Sequence, residues 1–319
     1  MRQWGIRSYV ILVSVLLISS TLASLIMIST HGRIKVGIVL VDDCDSRFAV
    51  YAKEGLDRYD DYLSTEILDT RFNASHIGIV GDLYLADDFN SPEYTKTVRD
   101  GFGVDLVLII TDHPRGGVDE ILYSYWGKAN TESASAVMTV WFYMPESEFD
   151  WTEKEWKGWD RQYTQSVAVH EVGHLLGYKH DIYDDKCVMM FGSHNPEYCT
   201  HHSMELPYRT YLAPLGYGKD FHAASFLINS VLAALFLPFL ISLSIIIHLM
   251  FSKFLYSAEV HAWPSIATNS VLAYFVLMVA NSVVSGLVVA LTFALLVEIL
   301  FFLWRGWKSR AEAGEAVES

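Results

Sequence analysis

Four residues that could bind and use a metal ion lie close together in the chain: His170, Glu171, His174 and His180. No proline or glycine interrupts residues 159–172, and this favours a helix. Residues four apart share one face of a helix, so His170 and His174 can offer two imidazoles to one ion. Glu171 is rotated off that line but still reaches the same open side.

A turn after this helix can bring in a third ligand. Gly177 can adopt the left-handed conformation that often ends a helix, and His180 can then swing back towards the ion. Three neutral imidazoles leave the fourth position of a tetrahedral zinc ion to water, which is typical of catalytic zinc. We therefore predict one catalytic Zn²⁺ bound by His170, His174 and His180, with Glu171 as the catalytic base.

The stretch His170–Asp181 matches the pattern HExxHxxGxxHD, and Met189 follows it, two positions after Cys187. This combination resembles the metzincin clan of zinc peptidases. The Cys-x-Met turn is similar to that of archaemetzincins and adamalysins, and Asp181 is what adamalysins carry after the third histidine. Archaemetzincins have a cysteine there and further cysteines that hold a second zinc. This chain has three cysteines in total, so it cannot form a four-cysteine site.

The resemblance implies a fold and a mechanism. The fold would be α+β with an α/β-like upper subdomain, in which a twisted, mixed five-stranded sheet lies above a zinc-bearing active-site helix. The activity would be that of an endopeptidase, in which Glu171 activates a zinc-bound water. Met189, or alternatively Met190, would form an apolar floor beneath the ion. Asp181 would not bind the ion itself but would orient a ligand or tie the turn to the chain. A catalytically inactive, zincin-like membrane protein that binds peptides is the alternative.

Hydrophobic runs and turn signals predict the elements around the motif. The strand at 106–110 is expected to be central, because it is apolar throughout. The other strands are expected at 34–41, at 77–80 with 83–85, and at 136–143, and the helices at 46–67, at 92–101 and from Trp159 onwards.

A segment bounded by glycines alternates in side-chain character and is the candidate edge strand of the sheet. In the metzincin clan that the chain resembles, the edge strand lies beside the cleft and pairs with an extended substrate peptide. The resemblance implies that this segment would do the same through main-chain hydrogen bonds. The candidate substrate-binding residues are therefore Ile121, Leu122, Tyr123, Ser124, Tyr125 and Trp126.

Long apolar segments flank the central part of the chain and are long enough to span a bilayer. The overall hydrophobic content of 52% agrees with this. The predicted organisation is a transmembrane anchor at 1–32, a peptidase domain at 33–220, a transmembrane helix at 221–252, a loop at 253–268, a long transmembrane segment or hairpin at 269–304 and a polar tail at 305–319. Within the domain, residues 204–220 contain two prolines and are expected to be a closing segment or linker.

Arg2 and Arg7 precede the first span, and basic residues favour the cytoplasmic side of a membrane. We expect an integral protein of the cell membrane whose peptidase domain faces outside. A cytoplasmic domain and a cleavable N-terminal signal are the alternatives. The formal net charge of −14 argues against a nucleic-acid partner, so the expected partners are a peptide or protein substrate and the lipid bilayer.

The cysteines are too few for a disulfide framework. Cys187 and Cys199 could form one bridge, remain free, or join His202 in a minor zinc cluster. Histidines 194, 201 and 202 could contact substrate, but we expect them to face solvent.

Overall fold

The structure is a computed structural model, and it describes residues 6–30, 32–72, 92–112, 127–140, 153–182, 184–190, 192–255 and 299. The chain divides into two compact units. The first unit comprises Thr30–Ile228 and contains the histidine motif, and the second comprises Met1–Ser29 together with Asn229–Ser319. The N-terminal helix α1 (Ile6–Thr30) belongs almost entirely to the second unit.

A five-stranded sheet forms the centre of the first unit. Its strands are β1 (Ile34–Val41), β2 (Leu63–Phe72), β3 (Leu106–Thr111), β4 (Gly127–Asn130) and β5 (Ser135–Thr139), in the order β2-β1-β3-β5-β4. All neighbouring pairs are parallel except β4 and β5, which are antiparallel. The prediction of a mixed five-stranded sheet is confirmed, and the strand predicted at 106–110 is central.

Helices cover both faces of the sheet, and this explains the continuous apolar runs of β1 and β3. They are α2 (Ser46–Leu56), α3 (Pro92–Phe102) and α4 (Glu153–Leu175). Alternate residues of β1, from Ile34 to Leu40, share one buried cluster with α2 and α4. Val39 and Val41 point the other way, into a second cluster that α3 covers with Tyr94 and Val98. The motif helix α4 is thus held by the main core.

The α4 helix lies very close to α2 at Gly55. A Cβ atom built on Gly55 would lie 2.9 Å from both the Cα and the carbonyl oxygen of Gln165 on α4. Because backbone atoms cannot move aside, only glycine permits this approach. The α4 helix itself begins at Glu153, six residues before the predicted start at Trp159.

The prediction of one helix over 46–67 is wrong in its second half. The α2 helix ends at Leu56, a 3₁₀ turn follows at Asp57–Tyr59, and β2 begins at Leu63. Along β2 only Leu63, Leu68 and Phe72 are buried, so its apolar pattern does not alternate strictly. Residues 63–72 form a strand because they pair in parallel with β1, beginning with Leu63 opposite Ile34.

Two further predictions are tested only in part or not at all. The strand predicted at 136–143 ends at Thr139 as β5, and Val140 then donates its N–H to the carbonyl oxygen of Thr111 at 2.8 Å. The strand region at 77–85 and the substrate-binding segment Ile121–Trp126 lie outside the described residues.

Residues 204–220 are expected to be a closing segment or a linker, and of these two the linker is wrong, because most of the segment is helical. The α5 helix spans Thr200–Leu212 with Pro207 inside it, and a 3₁₀ turn follows at Ala213–Leu215. One face of α5 is buried, including the charged side chains of Glu205 and Arg209. Burial of that face outweighs the loss of one backbone hydrogen bond at the proline.

Two of the described helices are long and apolar enough to cross a membrane. They are α1, with the stretch Val10–Thr30, and α6 (Phe221–Leu255), with the stretch Phe221–Phe239. Signal sequences and core helices can share these properties. In the second unit, Ser20 Oγ on α1 donates to the carbonyl oxygen of Leu235 on α6 at 3.0 Å. Of the apolar segment 270–304, only Ile299 is described.

The contact between α2 and α4 predicts that Gly55→Ala will destabilise the first unit. The added methyl group would overlap the backbone of Gln165, and such overpacking costs about 1–3 kcal/mol of unfolding free energy. We expect a lower thermal unfolding temperature for the full chain in detergent. Gly101→Ala is the matched control, because a Cβ there meets no described atom within 4 Å and alanine favours helix. Equal unfolding temperatures for the two variants would contradict the prediction.

Candidate metal centre

The side chains of His170, His174 and His180 converge on one point. The Nε2 atom of His174 lies 3.0 Å from that of His170 and 3.2 Å from that of His180. The first two residues are one turn apart on α4, and the third follows the turn at Gly177. In a tetrahedral zinc site with Zn–N bonds of about 2.0–2.1 Å, ligand nitrogens are about 3.3 Å apart. The three nitrogens therefore have the spacing of zinc ligands.

The backbone determines which nitrogen of each α4 histidine carries a proton. His170 Nδ1 lies 2.6 Å from the carbonyl oxygen of Val188, and His174 Nδ1 lies 2.8 Å from that of Tyr178. A carbonyl oxygen only accepts, so each Nδ1–H donates and each Nε2 of a neutral ring carries a lone pair. Two lone pairs that face each other at 3.0 Å repel unless a cation lies between them. The donor set fits Zn²⁺, which imidazole nitrogens bind well.

The protonation of the three rings agrees with this assignment. Burial lowers the pKa of His170 to about 4. The hydrogen bond to Val188 raises this pKa, but its effect is smaller than that of burial. Burial, followed by the neighbouring imidazoles, lowers the pKa of His174 well below its usual value, and burial also lowers the pKa of His180. All three rings are therefore neutral near pH 7, as metal ligands must be.

The turn between the second and third histidine depends on Gly177. Its φ is +81°, and a Cβ there would lie 2.7 Å from Ile228 Cδ1 on α6, so glycine is required for both reasons. Two donors hold its carbonyl oxygen: Arg209 Nη1 at 2.9 Å and Ser225 Oγ at 3.2 Å. The first turns of α6 thus belong to the support of the site.

Arg209 is completely buried beside this turn. Its Nε donates to Glu205 Oε2 at 2.9 Å, and its guanidinium carbon lies 4.3 Å from the centre of the Tyr178 ring. Tyr178 supplies the carbonyl that orients His174. Arg209 of the buried ion pair therefore holds Gly177 through its carbonyl oxygen and Tyr178 through its ring. No local signal in the sequence indicates this role, because Arg209 is distant in the chain and lies in the segment expected to be a closing segment or linker.

Glu171 is buried at the edge of the same cavity, with 5% of its surface exposed. It packs against Gly127, the first residue of β4, where a Cβ would lie 2.5 Å from its Cγ and Oε1 atoms. The edge strand therefore confines the carboxylate from one side. Only a residue without a side chain allows this placement.

A cleft of about 680 Å³ contains the three histidines and Glu171. Gly127, Lys128 and Ala129 of β4 line this cleft, and so do residues 192–194. The sequence predicts the strand next to the cleft at 121–126, and the described edge strand begins immediately after that segment, at Gly127. The remaining lining residues are Tyr163, Val167, Lys179 and Phe221.

Met189 is fully buried behind α4. A Cβ on Gly173 would lie 2.5 Å from its sulfur and 2.9 Å from the hydroxyl oxygen of Tyr198, so the methionine fits against a helix position that carries no side chain. The preceding residue, Val188, is the acceptor for His170. Met190 is only partly buried and forms an isolated parallel bridge with Asp181.

Asp181 follows the third histidine, but its side chain lies in a different environment. It is 1% exposed and accepts a hydrogen bond from His201 Nε2 at 2.7 Å. Its backbone N–H donates to the carbonyl oxygen of Met189 at 2.9 Å. These contacts tie the turn to the methionine segment and to α5.

The expectation that histidines 194, 201 and 202 face solvent is correct only for the first. His194 is exposed at the rim of the cleft. The side chain of His201 is 21% exposed, and that of His202 is completely buried. No periodicity marks His202 as buried, because its neighbours Cys187 and Asp181 come from distant positions.

No family model matches the sequence, and no curated protein matches it. Among solved structures, the chain is similar to an archaemetzincin from Methanopyrus kandleri, with 20% identity and a TM-score of 0.38 over 56% of this chain and 95% of that one. It is also similar to a zinc-dependent peptidase from Methanocorpusculum labreanum (strain Z), with 12% identity and a TM-score of 0.42 over 54% of this chain and 99% of that one. Both likenesses are distant.

The buried ion pair predicts that Arg209→Met will weaken both the fold and the metal centre. The substitution leaves Glu205 buried without its cation, which costs about 3–5 kcal/mol of unfolding free energy. It also removes one donor from the Gly177 carbonyl. We expect a lower unfolding temperature and faster transfer of zinc to a chromophoric chelator.

The double variant Glu205→Gln with Arg209→Met is the control. It removes the uncompensated charge and should recover part of the unfolding temperature, while zinc transfer stays fast because the donor to Gly177 is still absent. Zinc transfer at the wild-type rate in both variants would contradict the role given to Arg209.

Proposed function

We propose that this protein is a zinc-dependent endopeptidase. The observation that carries the proposal is the convergence of three unprotonated imidazole nitrogens beside a buried glutamate in one cleft. Three protein ligands leave one position of a tetrahedral zinc ion open, and this distinguishes catalytic from structural zinc. The cleft is also large enough to admit a segment of peptide.

Zinc bound there would act as a Lewis acid on a substrate carbonyl and would lower the pKa of a water molecule. Glu171 is the group that moves the proton. Its carboxylate takes a proton from the attacking water and then passes it to the nitrogen of the leaving amine, so the base of the first step is the acid of the second. Gly127 confines this carboxylate, which limits the orientations it can take before the reaction.

The peptide is proposed to bind along β4. In the described part of the sheet, β4 pairs with β5 on one side only, and Gly127, Lys128 and Ala129 line the cleft. The backbone groups of an edge strand can pair with any extended peptide. Residues Ile121–Trp126 directly precede β4 and are proposed to continue this binding surface.

The protein is further proposed to be anchored in the cell membrane with the peptidase domain outside. Support comes from α1, where large apolar side chains such as Ile11, Ile18 and Leu22 are more than half exposed. A helix that is apolar on all sides needs an apolar environment, and a bilayer supplies one.

The mechanism predicts that Glu171→Gln will lose most of its turnover while keeping its zinc. Glutamine is close in shape but cannot accept the proton of water, and such general-base catalysis contributes about 10²–10⁴-fold. The measurement is cleavage of a quenched-fluorescence peptide library by the full chain in detergent, with and without a chelator. Zinc content is measured in parallel.

Glu132→Gln is the matched control, because Glu132 lies exposed in the turn between β4 and β5. Chelation should abolish wild-type cleavage, and added zinc should restore it. Unchanged cleavage in Glu171→Gln would refute the assignment of the base. If the wild-type chain binds peptides and zinc but cleaves none of the library, the non-catalytic peptide-binding alternative is correct.

The contact at Gly127 predicts that Gly127→Ala will impair catalysis without removing zinc. A methyl group there would overlap the Glu171 side chain and push the carboxylate out of its position. Misplacement of a catalytic group by about 1 Å can cost about 100-fold in rate. We expect a fall in kcat of that order with the zinc content unchanged.

Gly101→Ala again serves as the control for a glycine substitution without a steric clash. Comparison with Glu171→Gln is also informative, since the double variant should be no slower than Glu171→Gln alone. Additive losses in the double variant would show that Gly127 acts on something other than the glutamate.

A further inference from the structure

The α5 helix and the 3₁₀ turn that follows it direct large apolar side chains outwards. Met204 is 58% exposed, Tyr211 is 43% exposed, and Leu215 in the 3₁₀ turn is 47% exposed. Tyr208 is partly exposed between them. Positions 204, 208 and 211 are four and three residues apart, so their side chains lie in one row along the helix. We call the row formed by Met204, Tyr208, Tyr211 and Leu215 the outer stripe of α5.

The outward surface of α5 carries no charge beside this stripe. The other exposed or partly exposed residues from 203 to 215 are Ser203, Pro207 and Pro214. The charged residues of α5, Glu205 and Arg209, are buried on the opposite face and pair with each other at 2.9 Å. This reverses the usual arrangement, in which a surface helix presents its charged side chains to water.

The α3 helix of the same unit has the usual arrangement. Its exposed residues include Glu93, Lys96 and Asp100, while Tyr94 and Val98 pack against the sheet. Single exposed apolar side chains are common on soluble proteins and need no explanation. A continuous uncharged stripe on a chain with a net charge of −14 is different, and it indicates an interaction surface.

The next element of the chain indicates what covers the outer stripe. The α6 helix begins at Phe221, six residues after Leu215, and its first 19 residues are long and apolar enough to cross a membrane. The turn before it packs on α6, because a Cβ on Gly216 would lie 3.0 Å from Ala224 Cβ and 3.4 Å from Ile228 Cδ1. The outer stripe therefore ends beside the first two turns of a candidate membrane span.

The side chains of the outer stripe suit the boundary between lipid and water. Tyrosine is enriched at that boundary because its ring is apolar and its hydroxyl group is polar. Met204 and Leu215 add purely apolar surface. An amphipathic helix at the boundary buries its apolar face about 5–10 Å deep. Lys219 and Asp220, which are exposed between the stripe and α6, would remain among the lipid headgroups.

We propose that the outer stripe of α5 lies on the surface of the bilayer in which α6 is anchored. This inference rests on the membrane anchoring proposed above and not on the peptidase activity. Because the stripe contains no cation, docking needs no anionic lipid. On its buried face the same helix holds the Gly177 carbonyl through Arg209. Docking would therefore place the support of the metal centre against the membrane surface.

A fluorescent label at single positions tests this docking. The three native cysteines are buried and unbridged, so a thiol-reactive, environment-sensitive dye should react with a cysteine introduced at the surface. Met204→Cys and Tyr211→Cys place the dye in the stripe. Lys96→Cys is the matched control on the exposed surface of α3. Each labelled full chain is reconstituted into vesicles of neutral phosphatidylcholine, with and without bromine on the acyl chains.

The stripe labels should behave differently from the control label. Bromine quenches fluorescence only at close range, so we expect brominated lipid to remove most of the emission at positions 204 and 211 and little of it at position 96. The emission of both stripe labels should also be shifted to shorter wavelength, because the boundary is less polar than water. High salt should leave these differences unchanged, because the attraction is not electrostatic.

A charge introduced into the stripe should release it from the lipid. We expect Tyr211→Glu to reduce the quenching of a label at position 204, because the carboxylate would have to leave water. Lys96→Glu in the same labelled chain is the control and should have no effect. Both substitutions are at exposed positions, so they should leave the fold intact.

Three results would overturn the proposal. Weak and equal quenching at positions 204, 211 and 96, in a chain that alkaline carbonate does not extract from the vesicles, would show that the anchor holds but the stripe does not touch lipid. Crosslinking between two chains through cysteines introduced at position 211, without quenching by brominated lipid, would assign the stripe to a second copy of this chain. Extraction by carbonate would remove the anchoring itself.

None of these measurements uses peptide cleavage. Failure of the docking surface can therefore be told apart from failure of the proposed peptidase activity, and the carbonate extraction separates it from failure of the anchor.

Discussion

Two hydrogen bonds to backbone carbonyls orient the two imidazoles on which the candidate metal centre depends. They run from His170 Nδ1 to Val188 and from His174 Nδ1 to Tyr178. Each bond fixes the proton on Nδ1 and the lone pair on Nε2, so the two rings can act only as ligands towards their common centre. A helix alone supplies the spacing of these histidines. The chain after the helix supplies their orientation, and the centre therefore depends on how residues 177–190 are held.

Close packing against glycines holds that chain in place. Glycines at positions 55, 127 and 173 let α2, the Glu171 carboxylate and Met189 approach to distances that a side chain would prevent. Each contact fixes α4, or a group on it, against a different neighbour. Since protein interiors transmit strain rather than absorb it, an added methyl group at any of them shifts a group that the chemistry needs. The position of the site therefore depends on these three glycines as well as on the side chains that pack against them.

The sequence predicts the parts of this structure that depend on local signals. The placing of His170 beside His174 follows from helical spacing, and β1 and β3 follow from continuous apolar runs. The β2 strand resembles a helix in sequence because Leu63 and Ile67, four residues apart, share a face in either structure, and only pairing with the distant β1 strand decides between the two. The α5 helix escapes prediction because Pro207 signals a break. The sequence also does not show that Glu205 and Arg209 form a buried ion pair, because their burial depends on contacts with distant segments.

His180 poses a problem for the candidate metal centre that the two histidines on α4 do not. His180 lies in a segment with no helix or strand across the described residues 178–189 apart from the single bridge of Asp181 with Met190. Ordering such a backbone costs about 1–2 kcal/mol per residue, and metal binding would have to supply that free energy if the segment were loose. The neighbouring Asp181 is fixed instead, because its N–H donates to Met189 and its carboxylate contacts His201 and His202. Since His180 and Asp181 are adjacent on one backbone, contacts that fix Asp181 reduce the conformational entropy that must be lost to place His180. Ordering of His180 before an ion arrives would raise the affinity of the three histidines for that ion.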